Sequence, residues 1–359
     1  MARTKSYKIS IAIAAGVLLC AVAIGVIVWA LTSRKDESSK PYTKEGYAMN
    51  TVVTQQIYSP TDPQQAEELA KDAERLLSSL EEKFSMHHVG TEIDRLNQNA
   101  GGSPVELSED TFSMLRLAKV YGDRTNGLFD VTIGPLTSLW GITSDQPRVP
   151  SDAEIAAAKE LIEFQNIQLD EKKYTAKLTK AGMKVDLGGI AKGYASDRLM
   201  ELYREYGAQS VLTSVGGNII ALGKKPDGSD FSIGIRDPQG NANEYVGTLK
   251  SPDTILSTTG GYERYFEKDG VRYHHVLDPK TGKPAQSDLL AVTIVSEDGT
   301  LTDVFSTYYF MMGKKTVLKH LNDKNYSIIA IDQEKNIYLS DKLKPNFTLN
   351  KQKDYRLAD

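Results

Sequence analysis

An uninterrupted run of uncharged residues near the N-terminus restricts most strongly how this chain can fold. Residues 9–31 carry no charge, and Arg3, Lys5 and Lys8 precede them. About 20 apolar residues are enough for a helix to cross the hydrocarbon core of a bilayer. The run therefore predicts a transmembrane helix, with residues 1–8 in the cytoplasm and the bulk of the chain outside it.

The length of this run favours an uncleaved membrane anchor. A cleavable signal peptide usually has an apolar region of only about 7–15 residues. Ala30 is a small residue near the end of the run, so cleavage after it stays open. Because Arg34, Lys35 and Lys40 follow the run, the positive charges on its two sides are nearly balanced. The predicted orientation then rests on the usual arrangement of single N-terminal anchors.

Composition excludes several classes of protein. The 359 residues include 43 Lys and Arg against 47 Asp and Glu, a net charge of -4, which argues against a nucleic-acid-binding protein with a basic surface. Cys20 is the single cysteine, so disulfide scaffolds and cysteine zinc sites are excluded. We interpret Cys20 as a packing or lipid-facing thiol, since no small residue precedes it as in a lipidation site. The folded part must be stabilised by its core alone.

Beyond the membrane segment, residues 32–46 are charged and polar, which predicts a linker, and residues 47–359 are predicted to form one domain. Asp62 and Pro63 are a helix cap and a first-turn proline, and an apolar stripe follows them as far as Phe84. The second half is richer in alternating, β-branched segments. No fixed repeat is present. These patterns predict an α+β fold, a single large mixed domain behind the membrane helix.

The remaining elements follow from caps and alternation. Further helices are predicted after caps at Ser108 and Ser151, from about residue 190 to Gly207, and over residues 302–321. Extended segments are predicted over residues 210–222, 231–236, 254–257, 271–277, 290–295, 326–331 and 336–339.

One glycine-rich segment is typical of a phosphate-binding turn. After Asp186, an extended segment enters a helix through Gly188 and Gly189, and Lys192 lies in the first turn. Backbone N–H groups at the start of a helix bind phosphate, and a lysine adds a positive charge. An ordinary tight turn beside a surface lysine explains the same pattern, so both interpretations stay open for this segment alone.

Two residue pairs further along carry candidate chemistry. His274 and His275 are adjacent in an extended segment, so only one of them can face a given site, and a single strand histidine is often structural. Asp303 and Thr307 are four residues apart on one face of a predicted helix. Oxygen ligands of this kind suit Mg²⁺. A helix-start acid and a solvated threonine are the simpler alternative.

Read together, these segments resemble the ApbE family of FAD:protein FMN transferases over roughly residues 47–315. The resemblance implies a mixed α/β domain of the ApbE, T-fold-like, type. Six segments carry it in the family's order: Met49-Asn50-Thr51, the run from Gly127 through Leu128, Phe129 and Asp130 to Gly141, the run from Asp186 to Ala195, Gly216-Gly217-Asn218, the run from His275 to Gly282, and Asp303 with Thr307.

The resemblance implies an enzyme that cleaves FAD, releases AMP and attaches FMN through a phosphoester to a Ser or Thr of an extracytoplasmic or membrane acceptor protein. The implied metal is Mg²⁺, bound by the side chains of Asp303 and Thr307 and the carbonyl of Gly189. His275 is the implied activator of the acceptor hydroxyl, and Asp303 is the second catalytic residue. The implied FAD contacts, of which His87 matches only loosely, are Met49, His87, Leu128, Phe129, Asp130, Asp186, Lys192 and Leu277.

The chain departs from the family pattern at two positions and leaves two other functions open. Asn50 and Gly261 stand where many relatives have a glycine and an acidic or amide residue, respectively, and neither is an implied metal ligand. An Mg²⁺-dependent FAD pyrophosphatase would use the same residues with water as the nucleophile. A non-catalytic flavin-binding protein is the third alternative, against which Asp303, Thr307 and Lys192 argue.

Overall fold

The computed structural model describes residues 40–58, 63–241 and 243–358. The predicted cytoplasmic and membrane segments, residues 1–31, lie outside the described residues, as do Cys20 and Asp62. Across the three described ranges, no helix is both long and apolar enough to cross a membrane.

The helices and strands follow one another irregularly along the chain, with ten consecutive strands between the sixth and seventh helices. The helices are α1 (Pro63–Phe84), α2 (Glu92–Gln98), α3 (Glu109–Arg124), α4 (Gly134–Trp140), α5 (Asp152–Lys159), α6 (Ala191–Glu205), α7 (Gly299–Met312) and α8 (Lys314–Lys319). The strands are β1 (Tyr42–Ala48), β2 (Thr51–Ile57), β3 (Val105–Glu106), β4 (Ile167–Asp170), β5 (Thr175–Leu178), β6 (Ser210–Val215), β7 (Asn218–Gly223), β8 (Ser232–Arg236), β9 (Tyr245–Lys250), β10 (Thr254–Gly260), β11 (Tyr265–Lys268), β12 (Val271–His274), β13 (Leu277–Asp278), β14 (Lys283–Pro284), β15 (Leu289–Ser296), β16 (Ser327–Asp332), β17 (Asn336–Leu339), β18 (Phe347–Leu349) and β19 (Arg356–Leu357).

A nine-stranded sheet forms the centre of the described structure, in the order β1-β2-β6-β7-β10-β15-β16-β17-β19. Its pairs are antiparallel except for β17 and β19, which run parallel. Strands β8, β9 and β18 form a second, three-stranded sheet. The predicted mixed α/β fold is therefore confirmed.

The two faces of the central sheet bury different partners. Side chains alternate in direction along a strand, so neighbouring residues of β10 enter different cores. Ile255 packs in the same core as Leu301 and Val304 of α7, whereas Leu256 packs with Ile233 and the rest of the β8-β9-β18 sheet. The helices that pack on the central sheet therefore lie on one of its faces, and the small sheet covers the other.

Some element boundaries differ from the sequence-based expectations. Strand β1 begins at Tyr42, inside the predicted linker 32–46, because its pairing with β2 extends to Tyr42 opposite Ile57. The sequence of β1 has no apolar pattern that would predict a strand. The predicted helix 302–321 is two helices, since Gly313 adopts a φ of 75° that ends α7. The predicted segment 210–222 is a hairpin of β6 and β7, joined by Gly216 and Gly217.

Candidate phosphate and metal site

Helices α6 and α7 approach each other at a pair of glycines. A Cβ atom on Gly193 would lie 2.3 Å from the carbonyl oxygen of Gly299 and 2.7 Å from the Cβ of Asp303. A Cβ on Gly299 would lie 2.6 Å from the carbonyl oxygen of Gly193. Real side chains do not tolerate such distances to backbone atoms, so glycine is required on both helices. The contact brings the first turns of the two helices together.

The carboxylate of Asp197 on α6 fixes this crossing. The Asp197 side chain accepts hydrogen bonds from the N–H groups of Gly299 at 2.6 Å and Thr300 at 2.8 Å, and so caps α7. Burial raises the pKa of Asp197 to about 6. The N-cap residue Asp298 accepts a further bond from Leu301 N–H. The start of α7 is therefore held in one position relative to α6.

Asp303 of α7 binds a free backbone N–H group at the start of α6. The N-cap residue of α6, Ile190, has no capping side chain, and the Oδ2 of Asp303 accepts a hydrogen bond from Gly193 N–H at 2.9 Å. The Oδ1 of Asp303 lies 3.9 Å from Lys192 Nζ, beyond hydrogen-bond distance. Asp303 is 5% exposed. One carboxylate oxygen therefore remains available beside the lysine and the helix N-terminus.

Hydroxyl groups join α7 to β10 beside this carboxylate. Thr259 Oγ1 lies 2.8 Å from Ser306 Oγ and 3.1 Å from Thr307 Oγ1. One turn earlier, Ser257 Oγ lies 2.8 Å from Thr302 Oγ1. These contacts orient the face of α7 that carries Asp303 and Thr307. Alternating hydroxyl residues in a buried strand are a signal from which Thr259 could have been predicted, and it was missed.

The turn before α6 lies against a second glycine-containing segment. Asp186 accepts a hydrogen bond from Gly188 N–H at 2.9 Å, which forms the turn. A Cβ on Gly189 would lie 3.2 Å from the ring of Phe129, so this buried ring packs on the turn. Phe129 N–H in turn donates to Thr125 Oγ1. The structure therefore brings together Gly189, Phe129 and the start of α6.

Asp130 has its carboxylate engaged within the fold. It accepts hydrogen bonds from Thr132 N–H at 2.7 Å, Thr132 Oγ1 at 2.6 Å and Phe164 N–H at 2.9 Å. Burial raises the pKa of this carboxyl, and these hydrogen bonds offset part of the increase. Both oxygens therefore have partners within the fold, although a carboxylate can accept further hydrogen bonds.

His275 lies opposite Arg264 on the β11–β12 hairpin. Its N–H donates to the Arg264 carbonyl at 3.0 Å, and its ring Nδ1 lies 3.2 Å from the same oxygen. Desolvation, together with the positive charges of Arg264 and Lys192, lowers the pKa of His275 to about 4. The ring is therefore neutral near pH 7 and able to accept a proton. A bound anionic phosphate would raise its proton affinity.

The neighbouring His274 has a structural environment. Its Nε2 lies 3.0 Å from the Ala285 carbonyl, and its ring makes an edge contact with Phe310. Burial lowers its pKa as well. Lys192 of the candidate site therefore affects the pKa of His275 and is not among the groups that shift the pKa of His274.

Two charged residues of this region were not predicted. Glu263 interacts electrostatically with Lys192 and Asp303, and desolvation raises the pKa of its carboxyl. Arg264 Nη2 donates to the carbonyl of Asn50 at 3.3 Å. Both residues line a groove of roughly 410 Å³ together with Asn50, Ile142, Thr143, Ser144 and Tyr265. Their position follows from the β10–β11 turn; the glycine pair at 260 and 261 indicates a turn there, but nothing in the sequence shows which residues the turn faces.

Met49 and Asn50 form the two-residue turn between β1 and β2. Both have positive φ angles, 54° and 56°, as a type I′ hairpin turn requires. Met49 N–H donates to Glu81 of α1 at 2.7 Å, and Tyr47 donates to the Asn50 side chain at 2.6 Å. Through Arg264, this turn is joined to the segment beside His275.

The other expected flavin contacts differ in burial: Leu128 and Leu277 are buried, and His87 is exposed. Leu128 and Leu277 are both 7% exposed, and Leu277 packs with Leu136 and Trp140. His87 is exposed in the loop after α1, where its N–H donates to Ser85. Among the described contacts of that loop, none reaches Asp303.

The donor atoms present fit a hard divalent cation. Asp303 and Thr307 offer a carboxylate and a hydroxyl oxygen on consecutive turns of α7, and Gly189 is in the adjoining turn. No cluster of three or more His, Cys, Asp or Glu side chains able to hold a metal occurs in the described ranges. A single carboxylate is nevertheless sufficient for Mg²⁺, which commonly retains water and substrate phosphate ligands.

Comparison with known proteins identifies the family. The sequence profile of the ApbE family matches residues 49–331, most of the described chain. The chain belongs to the ApbE family. An FAD:protein FMN transferase of Klebsiella pneumoniae (strain 342) is 31% identical over 303 residues, covering 84% of this chain and 92% of that protein.

Solved structures agree with this ApbE assignment. The ApbE protein of Thermotoga maritima superposes with a TM-score of 0.79 at 32% identity, covering 86% of this chain and 99% of the other. The flavin transferase ApbE of Vibrio cholerae gives a TM-score of 0.75 at 26% identity with the same coverage. The predicted family resemblance is therefore confirmed, and the ApbE match ends within β16.

Proposed function

We propose that this ApbE-family chain is an Mg²⁺-dependent FAD:protein FMN transferase. Relatives that carry this name cover most of the chain. The observation that carries the proposal is the buried carboxylate of Asp303, held against the N-terminus of α6 with one oxygen available beside Lys192. A helix N-terminus and a lysine attract phosphate, and a carboxylate oxygen beside them is suited to a divalent cation that would bind between the carboxylate and the phosphate.

The proposed reaction transfers the FMN half of FAD, through its phosphorus atom, to the acceptor. The hydroxyl oxygen of an acceptor Ser or Thr attacks the phosphorus on the FMN side of the FAD pyrophosphate. An oxygen–phosphorus bond to the acceptor forms, the bond to the AMP phosphate breaks, and AMP leaves. The hydroxyl proton passes to His275, which is neutral near pH 7 because its pKa is about 4 in the unliganded protein.

The remaining residues have positioning and charge-neutralising roles. Asp303, Thr307 and the Gly189 carbonyl would hold Mg²⁺, which when bound neutralises charge on the pyrophosphate oxygens. Lys192 adds a second positive charge 3.9 Å from Asp303. Phosphoryl transfer depends mainly on such positioning and electrostatic stabilisation.

Each residue of the FAD-binding set has its own proposed contact. Phe129 and Lys192 adjoin the α6 turn and would contact the flavin half and the phosphates. Asp130 and Asp186 would contact FAD through their backbone groups, or through carboxylate lone pairs that their own hydrogen bonds leave available. Met49, His87, Leu128 and Leu277 complete the proposed set.

The cellular location is part of the same proposal. The uncharged run 9–31 supports a single-pass membrane anchor with the catalytic domain outside the cytoplasm. The partner would be a membrane or secreted acceptor that presents a Ser or Thr in a short flavinylation motif. No nucleic-acid partner is proposed, since the net charge is -4.

Intact mass measurement tests the proposal. The protein is incubated with FAD, Mg²⁺ and a candidate acceptor, with a chelator and an acceptor Ser/Thr→Ala variant as controls. We expect the acceptor to gain the mass of FMN less one water and AMP to accumulate, both only with Mg²⁺ and the intact hydroxyl. Release of free FMN with every candidate acceptor would instead identify an FAD pyrophosphatase, and unchanged FAD would identify a flavin-binding protein.

A further inference from the structure

The Arg264 carbonyl determines which nitrogen of His275 carries the proton. The ring Nδ1 lies 3.2 Å from this oxygen. A carbonyl oxygen accepts hydrogen bonds and never donates them, so Nδ1 must be the protonated nitrogen of the neutral ring. The other nitrogen, Nε2, then has a free lone pair. The choice between the two nitrogens of a histidine is commonly made by such a hydrogen bond.

The Arg264 side chain anchors the same backbone segment to another part of the site. Its Nη2 donates to the carbonyl of Asn50 at 3.3 Å. The Asn50 turn is itself fixed, because Met49 N–H donates to Glu81 at 2.7 Å. Arg264 therefore joins the β1–β2 turn to the carbonyl that contacts His275.

We propose that Arg264 is a positioning residue: its side chain anchors the segment whose carbonyl holds His275 in the Nδ1–H form, which leaves Nε2 as the proton acceptor. This inference rests on the proposed function, in which His275 receives the proton of the acceptor hydroxyl. Arg264 touches neither reacting atom in this role and acts through His275.

Two neutral replacements separate anchoring from charge. Arg264→Gln retains an N–H donor on a side chain two atoms shorter than arginine, whereas Arg264→Met has the length of glutamine and no donor. Both remove the positive charge that helps to lower the pKa of His275. Any difference between them therefore reports on the hydrogen bond alone. Arg272→Met, an exposed position on the same hairpin that pairs with Glu267, controls for general effects on the hairpin.

The first readout is the protonation of the His275 ring. Full-length protein labelled with ¹⁵N-histidine is measured at neutral pH by long-range ¹H–¹⁵N correlation, with His275→Gln used for assignment. We expect the Nδ1–H form in the wild type, Arg264→Gln and Arg272→Met, and a mixture of both forms in Arg264→Met. Wild-type protein with the proton on Nε2, or an unchanged Nδ1–H form in Arg264→Met, would overturn the proposal.

The second readout is FAD turnover, with kcat and KM measured separately. We expect kcat to fall by up to about tenfold in Arg264→Met, the usual net worth of one hydrogen bond, with Arg264→Gln close to wild type. Equal kcat losses in the two variants would refute anchoring, and a raised KM at unchanged kcat would make Arg264 an FAD ligand instead. If folded His275→Ala remains active, His275 is not the proton acceptor and the proposed function fails at that residue. The NMR measurement of the His275 ring tests separately whether Arg264 holds the Nδ1–H form.

Discussion

Replacing Gly193 by alanine should break the candidate site at its tightest point. In an ordinary helix this change stabilises by up to about 1 kcal/mol, because alanine is the better helix former. Here the new Cβ would lie 2.3 Å from the Gly299 carbonyl oxygen and 2.7 Å from the Cβ of Asp303. Backbone atoms cannot rotate away, so α6 and α7 must separate by about 1 Å, and overpacking of this kind typically costs about 1–3 kcal/mol.

The same displacement should affect activity more than stability. Asp303 would leave Gly193 N–H, from which it now accepts a bond at 2.9 Å. A misplacement of about 1 Å in a catalytic group can cost on the order of 10²-fold in rate. Gly299→Ala should reproduce the effect, since its Cβ would lie 2.6 Å from the Gly193 carbonyl oxygen.

Denaturant unfolding and FAD turnover with Mg²⁺ measure the two effects. Arg204→Ala, an exposed position on α6, serves as the control and should leave both quantities near wild type. A Gly193→Ala protein as stable and as active as the wild type would show that the helix crossing does not position Asp303, and would refute the reasoning.

Three further predictions follow from individual side chains. Asp303→Ala should abolish Mg²⁺-dependent FAD turnover in folded protein. Thr307→Ala should reduce turnover less, because Thr307 would be a neutral ligand. Full activity of Asp303→Ala with Mg²⁺ present would contradict the metal assignment. His275→Ala should bind FAD yet lose transfer by about 10²–10⁴-fold, whereas His274→Ala should chiefly lower the melting temperature, and the opposite pattern would exchange their roles. Burial alone would raise the pKa of Asp332, but hydrogen bonds to its carboxylate lower it from 3.8 to about 2, so its contribution to stability should be present above pH 4 and disappear as the pH falls towards 2. Acid unfolding curves that are the same for Asp332→Asn and wild type would contradict this.

The sequence predicted elements best where one local rule determined them. The Ser151 cap forms the full capping box expected from Glu154 three residues later. Helix α1 ends at Phe84, where its apolar stripe ends. The helix break at Gly313 was missed, because a glycine within an apolar period is compatible with either a continuous or an interrupted helix.

The candidate site was predictable to the extent that motifs are local. The α6 turn with Lys192 and the pair Asp303 and Thr307 were found from spacing, and the fold brings Lys192 and Asp303 together. Glu263 and Arg264 could not be found in this way. Their role depends on a turn that faces residues far away in the chain, and long-range contacts of this kind leave no periodic signal.

The hydrogen bond between Gly193 and Asp303 joins residues 110 positions apart, so the proposed metal site can form only when the chain folds. An unfolded chain has no carboxylate beside the α6 turn, so Mg²⁺ would bind the folded form alone. At a free Mg²⁺ concentration 100 times the dissociation constant, such binding adds about 2.7 kcal/mol to the free energy of unfolding. A chelator would then lower the melting temperature as well as stop turnover, and the lifetime of the folded protein would depend on the Mg²⁺ content of its surroundings.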